Sequence, residues 1–197
     1  MSSPPSNPSA PQAANGPVPW RKLNSEAGPS LLIAQARFDT VVNPRNEAEL
    51  RRLVLDVAPW VNVVALDPEG RSVCVRQWRF GTESVTTEIP GGVVERGEDP
   101  LAAARRELRE ETGYTSEDWT PLGVVEPNPA FQNNLCYHYL ARDARLTHPT
   151  EPDIGEDIQV VLLDTEQILE GIRSGSIRHS LVVSALCRVL DLRSHPW

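Results

Sequence analysis

Three glutamates, Glu107, Glu110 and Glu111, lie within five positions of one another. On an α-helix their spacing of three and four residues would place all three carboxylates on one face, where like charges repel. A bound cation would remove that repulsion. Because no histidine or cysteine lies nearby, the oxygen ligands favour Mg²⁺ or Mn²⁺ over zinc. Magnesium usually binds through one or two carboxylates and substrate phosphates, so the cluster indicates a phosphorylated substrate.

A solvated, charged helix face is the alternative interpretation of these glutamates. Arg106 and Glu110 are spaced for an ordinary i,i+4 ion pair on such a face. The residues around the cluster argue against this alternative, because a glycine-containing turn precedes the helix at a fixed distance. The spaced positions are Gly92, Glu98, Arg106, Glu107, Leu108, Glu110, Glu111, Gly113 and Tyr114.

This 23-residue pattern resembles the Nudix box without a departure. The resemblance implies a Nudix hydrolase, with a mixed β-sheet between helices, that cleaves a nucleoside diphosphate linked to another group. It implies that Glu107 and Glu111 are the principal metal ligands and that the Gly91 carbonyl is a third. Glu110 would bind a further metal or orient Arg106. The positions with a structural role in the motif would be Gly92, Glu98, Arg106 and Gly113.

Residues outside the box resemble the nucleoside-diphosphate-sugar and ADP-ribose branch of the family. The segments 76–80 and 88–92 match that branch, and Pro129 lies sixteen residues after the last glycine of the box. In this branch the positions of Arg79 and Glu88 help to hold substrate, so both are candidate substrate contacts. A plain ion pair on the strand surface is the alternative for these two residues.

The loop 128–134 departs from the ADP-ribose pattern and looks more like that of enzymes acting on several nucleoside diphosphate sugars. Its amides, including Asn128, are expected to hydrogen-bond sugar hydroxyls, and Phe131 is expected to stack on a base or sugar. The general base is expected in the acidic loop 151–157, with Glu156 as the first choice and Glu151 and Asp153 after it. His138, His148 and His179 are expected to be structural or exposed.

Composition limits the class of protein. The 197 residues carry 19 Lys or Arg and 27 Asp or Glu, a net charge of −8, which argues against binding to nucleic acid or anionic lipid. The three scattered cysteines fit a reducing compartment. No stretch has the length of a membrane span and the start lacks the features of a signal peptide, so a cytoplasmic protein is expected.

Three regions are expected along the chain: a disordered Pro/Ser-rich leader at 1–19, an N-terminal strand or hairpin extension at 20–57, and a Nudix domain at 58–197. The extension would otherwise leave an exposed sheet edge, so the branch resemblance implies a homodimer formed through it. A helix at 47–56 is the weaker alternative to the hairpin. Strands are predicted at 31–42, 52–57, 61–66, 72–78, 84–89, 120–126, 135–142 and 158–163, and helices at 100–112, 165–173 and 177–192.

The sequence therefore predicts a mixed α/β, metal-dependent pyrophosphohydrolase that converts nucleoside diphosphate sugars to a nucleoside monophosphate and a sugar phosphate. Two alternatives stay open. One is an ADP-ribose-specific pyrophosphatase on the same scaffold, and the other is a nucleotide-sugar sensor that binds without turnover. The intact run of carboxylates argues against the sensor.

Overall fold

A computed structural model describes residues 17–151, 154–155 and 157–191, so most of the predicted leader lies outside the described residues. The chain is a mixed α+β structure with a central sheet and a smaller N-terminal sheet. The strands are β1 Arg21–Ser30, β2 Ala34–Val42, β3 Glu49–Val57, β4 Trp60–Leu66, β5 Ser72–Arg79, β6 Ser84–Glu88, β7 Tyr114–Thr115, β8 Asp118–Val125, β9 Cys136–Arg142, β10 Arg145–Leu146 and β11 Ile158–Leu163. The helices are α1 Pro100–Thr112, α2 Thr165–Ser174 and α3 Ser180–Leu186.

The central sheet has helices on both faces, as predicted. Its strand order is β11-β5-β4-β9-β8, with β6 paired to β5, and the β4–β9 pair is parallel. Neighbouring residues of β4 alternate between the two faces, so Val63 packs with Leu108 of α1, while Val64 packs with Leu186 of α3. The helix–sheet–helix layering follows from this alternation. None of the helices in the described ranges is long and apolar enough to cross a membrane.

Helix α1 has the boundaries that its sequence predicts. The Asp99 side chain accepts hydrogen bonds from the backbone N–H groups of Leu101 and Ala102, and Pro100 occupies the first helical position. Gly113 ends the helix in the left-handed conformation, with φ 73°, and its N–H donates to the Arg109 carbonyl. These end signals fix the register of the three glutamates on the helix.

The N-terminal extension is a three-stranded antiparallel sheet in the order β1-β2-β3. The predicted hairpin is present as β2 and β3, and the alternative helix at 47–56 is wrong. Strand β1 was not predicted, because nearly all of its side chains are exposed and the alternation of buried and exposed positions that marks a strand is missing. Its backbone pairing with β2 holds it instead.

Helix α3 is shorter than the predicted 177–192, since it begins at Ser180 and ends at Leu186. The Ile177 N–H donates to the Gly171 carbonyl at the end of α2. A Cβ at Gly171 would lie 2.7 Å from the Ile177 side chain, so this glycine permits the close approach. His179 is extended, with φ −65° and ψ 120°. Ile177 therefore packs against the end of α2, and the last helix begins three residues later.

Candidate active site

The glycine segment after β6 lies against β4 and meets the glutamate face of α1. The N–H groups of Val61 and Val63 donate to the carbonyls of Gly92 and Pro90, at 2.9 and 2.8 Å. Gly91 lies between them, and its N–H donates to Glu111 Oε2 at 3.0 Å. Glu111 is only 2% exposed. The backbone therefore fixes one carboxylate of the cluster directly.

Both glycines of this segment allow close approaches that a side chain would block. A Cβ at Gly91 would lie 2.2 Å from the Val61 carbonyl oxygen, and a Cβ at Gly92 would lie 2.4 Å from Glu107 Oε1. Neither distance is compatible with a real methyl group. The Glu107 carboxylate therefore rests directly on the Gly92 backbone.

Arg106 is the hydrogen-bonding centre of the cluster. Its guanidinium binds both oxygens of Glu98, with Nε to Oε1 at 3.0 Å and Nη2 to Oε2 at 3.1 Å. Nη1 donates to Glu107 Oε1 at 2.8 Å and to Glu110 Oε2 at 3.2 Å, and Nη2 also donates to the Val93 carbonyl. The hydrogen bond from Arg106 lowers the pKa of Glu98. The positive charge of Arg106 thus offsets the repulsion among the carboxylates, and its hydrogen bonds join α1 to the loop that contains Val93 and Glu98.

The first residue of the predicted general-base loop lies beside α1. The Glu151 N–H donates to the Glu110 carbonyl at 2.7 Å, and Arg109 bridges the two side chains, at 2.8 Å to Glu151 and 2.9 Å to Glu110. Asp153 and Glu156 lie outside the described residues. Of the three acidic residues considered for the general base, the structure therefore places Glu151 alone.

Two adjoining cavities lie at the glycine segment and the glutamate cluster. The first, of about 310 Å³, contains the carboxylates and is lined by Gln77, Arg79, Gly91, Gly92, Val93, Glu95, Arg106, Glu107, Glu110, Glu111 and Glu151. The second, of about 740 Å³, extends towards the start of α3. Residues shared by both walls are Arg79, Gly91, Gly92 and Val93. The two cavities therefore adjoin at these residues.

The donor set of the first cavity fits a hard divalent cation. It consists of the carboxylates of Glu107, Glu110 and Glu111, and Gly91 lines the same cavity. Within the described ranges no group of three His, Cys, Asp or Glu residues converges as a complete metal site. A complete protein cage is not needed, because Mg²⁺ is usually bound through one or two carboxylates together with substrate phosphates.

Glu88 lies in the wall of the second cavity, 2% exposed, with its carboxylate held by four hydrogen bonds. Arg79 donates through Nε and Nη2 at 2.8 and 2.7 Å, and Thr86 Oγ1 donates at 2.6 Å. His179 Nδ1 lies 3.1 Å from Oε2. Burial alone would raise the pKa of Glu88, but these hydrogen bonds outweigh it and hold the pKa well below its usual range.

His179 therefore belongs to the cavity wall, which sequence reasoning missed. The prediction that it is structural or exposed came from the lack of any local motif around it. Its side chain is 38% exposed, and the 91 residues that separate it from Glu88 explain why no spacing pattern could join the two. Of the other histidines, His138 is buried and His148 is paired with Thr147 at the surface.

Asn128 and Phe131 of the loop 128–134 do not line either cavity, and their expected contacts with a base or sugar stay predictions. The Asn128 carbonyl accepts from the N–H of Gln132 at 2.8 Å, which closes a turn, and the Phe131 carbonyl accepts from the Leu55 N–H at 2.7 Å. The Asn133 amide contacts Val57 and Asp56 of β3. Hydrogen bonds to β3 therefore hold this loop beside the N-terminal sheet.

Known proteins resemble this chain in both sequence and fold. The NUDIX domain model matches residues 57–180. The ADP-ribose pyrophosphatase of Bacillus subtilis is 33% identical over 135 residues, which cover 68% of this chain and 72% of that protein. The methanol dehydrogenase activator of Bacillus methanolicus is 30% identical over 155 residues, covering 78% of this chain and 83% of that protein.

A solved structure described as an ADP compounds hydrolase superposes on this fold with a TM-score of 0.76. The superposition covers 89% of this chain and 95% of the solved structure at 22% sequence identity, so it supports the fold alone. The family match extends over more than half of the chain and includes the glycine segment, the glutamate helix and the Arg79–Glu88 pair. The chain is thus a member of the NUDIX family of hydrolases.

Proposed function

We propose that the protein is a pyrophosphohydrolase that cleaves the diphosphate of nucleoside diphosphate sugars to a nucleoside monophosphate and a sugar phosphate. The observation that carries this proposal is that the carboxylate cavity adjoins a larger cavity at Gly91 and Gly92, which line both. A diphosphate beside the carboxylates would leave room for a nucleoside in the larger cavity. The names of several relatives, including an ADP-sugar pyrophosphatase of Mus musculus, support this substrate class.

Nudix hydrolases generally require divalent metal ions. The proposed ion here is Mg²⁺, with Mn²⁺ as the alternative, held by Glu107, Glu111 and the Gly91 carbonyl, with Glu110 available for a further ion. When bound, such an ion neutralises the diphosphate and lowers the pKa of a bound water. The protein's own contribution is positional, because the Gly91 N–H fixes Glu111 and Arg106 fixes Glu107 and Glu110.

The proposed mechanism also needs a general base and residues that bind the substrate. Glu156 is the proposed general base, and Glu151 is the alternative. Arg79 and Glu88 are the proposed substrate-binding pair, since both line the larger cavity. Replacing Glu156 by Gln should lower kcat by at least about 10²-fold, the usual contribution of general base catalysis, whereas the same change at Glu151 should have a small effect. The reverse result would identify Glu151 as the base.

ADP-ribose is a specific second candidate as the preferred substrate. The relatives named ADP-ribose pyrophosphatase include those of Bacillus subtilis and of Mycobacterium tuberculosis, the latter 35% identical over 127 residues. Hydrolysis of ADP-ribose, ADP-glucose, UDP-glucose and GDP-mannose with Mg²⁺ and with Mn²⁺ distinguishes a general enzyme from a specific one. Release of no monophosphate from any of them would refute the proposed function and support a binding module.

Glu111→Gln tests the metal site within this proposal. The change keeps the size of the side chain but removes one anionic ligand, so activity should fall by at least about 10²-fold. Added Mg²⁺ should raise the Tm less than in the parent protein, because binding stabilises in proportion to affinity. The matched control is Glu117→Gln, at an exposed position outside both cavities. Full activity of Glu111→Gln would refute the site.

We also propose that the protein is a cytoplasmic homodimer in which the N-terminal sheet, residues 20–57, packs between subunits. Strand β1 is an edge strand, and the β1–β2 connection exposes Leu32 and Ile33. Three unpaired cysteines fit a reducing compartment. Light scattering at micromolar concentration should give twice the mass of one chain, and the mass of a single chain would refute the dimer.

A further inference from the structure

His179 lines the larger cavity, and the proposed function leaves the role of its Nε2 open. The other basic side chains in this wall have partners, since Arg79 binds Glu88 and Arg178 donates to Ser84 Oγ at 3.2 Å. His179 is held by Glu88 through Nδ1. Within the described part of the chain, Nε2 has no hydrogen-bond partner.

The contact with Glu88 determines which nitrogen of His179 carries the proton. An ionised carboxylate accepts hydrogen bonds and cannot donate them, so Nδ1 must be the donor in the 3.1 Å contact. In the neutral imidazole the other nitrogen then has a lone pair and acts as an acceptor. The three other hydrogen bonds to Glu88 hold its carboxylate in place, and hence the orientation of the ring.

The rest of this cavity suits the nucleoside half of a nucleotide. Its wall carries apolar side chains, among them Trp60, Val61 and Leu181, together with a few polar groups. Such a mixture is typical of pockets in which apolar walls enclose a ligand and a few polar atoms fix its orientation. Gly91 and Gly92 line both this cavity and the carboxylate cavity.

We propose that His179 is a specificity-determining residue whose Nε2 accepts a hydrogen bond from an N–H or O–H group of the bound nucleoside. This inference rests on the proposed function. Two parts of an adenosine nucleotide can supply the donor, the exocyclic amino group of the base and a hydroxyl of the ribose. A ligand that covers Nε2 but lacks the donor removes Nε2 from water without giving it a partner, which is the basis of the selection.

His179→Asn tests the proposal because the asparagine amide can still donate to Glu88 from the place of Nδ1, while nothing replaces Nε2. Binding of AMP is measured by calorimetry with EDTA present, so that neither metal binding nor turnover contributes. We expect the Kd of AMP to rise about 3- to 10-fold, which corresponds to the loss of one hydrogen bond. His148→Asn, at an exposed histidine outside both cavities, is the matched control and should leave the Kd unchanged.

Two AMP analogues identify the donor and exclude a merely structural effect. One lacks the 6-amino group of the base, and the other lacks both ribose hydroxyls. The analogue without the donor should bind the parent protein as weakly as AMP binds His179→Asn, and the variant should not weaken it further. An equal response of AMP and both analogues to His179→Asn would overturn the proposal, as would an unchanged or undetectable affinity for AMP in the parent and the variant.

The outcome is separable from that of the proposed function. If no nucleotide sugar is hydrolysed but the analogue pattern holds, the hydrolase proposal fails and the nucleoside contact stands. If nucleotide sugars are hydrolysed and His179→Asn changes neither the Kd of AMP nor the KM of ADP-ribose, the contact is refuted and the hydrolase proposal stands.

Discussion

Gly92→Ala should separate the geometry of the carboxylate cluster from the stability of the fold. The new Cβ would lie 2.4 Å from Glu107 Oε1, so the carboxylate must move by about 1.0 Å to reach the 3.4 Å at which ordinary contact begins. The atoms in the way are the far end of a flexible side chain, and φ at Gly92 is not positive. The free energy of unfolding should therefore change by no more than about 1 kcal/mol.

Activity should respond much more strongly than stability. A displacement of about 1 Å in a positioned catalytic group can lower the rate by about 10²-fold. The assay is kcat/KM on the best nucleotide sugar at saturating metal, with the Tm measured in parallel. Gly91→Ala is the contrasting variant, because its Cβ would meet the Val61 backbone oxygen at 2.2 Å and should destabilise the fold by about 1–3 kcal/mol. A Gly92→Ala protein with parental kcat/KM would refute the positional role of Glu107.

Other measurable consequences concern stability. Burial lowers the pKa of His138 from 6.5 to about 4. The free energy of unfolding should therefore fall by about 3 kcal/mol as the pH falls from above 6.5 to 4. In urea titrations, His138→Leu should remove this pH dependence. Asn133→Ala should lower the free energy of unfolding by about 1–2 kcal/mol through its lost contacts with Val57 and Asp56, and an unchanged urea midpoint would contradict this. Deletion of residues 1–19 should leave the Tm unchanged, since that segment has one branched aliphatic residue, and a fall of several degrees would show that it packs on the domain.

Local signals explain which elements could be predicted from the sequence. The ends of α1 are encoded by Asp99, Pro100 and Gly113 themselves, and the structure confirms them. The strands of the central sheet carry apolar residues that bury in the core, so β4 and β5 were also found. Strand β1 could not be found in this way, because its pairing depends on the backbone and its side chains are exposed.

In the candidate site, too, the residues that lie close together in the sequence could be predicted, and the distant one could not. Gly92 and the three glutamates lie within one turn and the helix that follows it, so the spacing of the motif is enough to predict that they meet. Arg79 and Glu88 lie nine residues apart on a β-hairpin, which is still a local relationship. His179 reaches Glu88 only through the packing of α3 on the sheet, and no periodicity or spacing of the sequence reports that contact.

The short connection between the two sheets has a consequence for how this protein can change during evolution. Strand β3 ends at Val57 and β4 begins at Trp60, and the two residues between them are fixed by hydrogen bonds from Asn134 to the Ala58 carbonyl and from Val94 to the Pro59 carbonyl. Trp60 itself lines the larger cavity. Mutations that alter the packing of the N-terminal sheet should therefore also move a wall of the cavity, so changes in this sheet can change which substrates the cavity accepts.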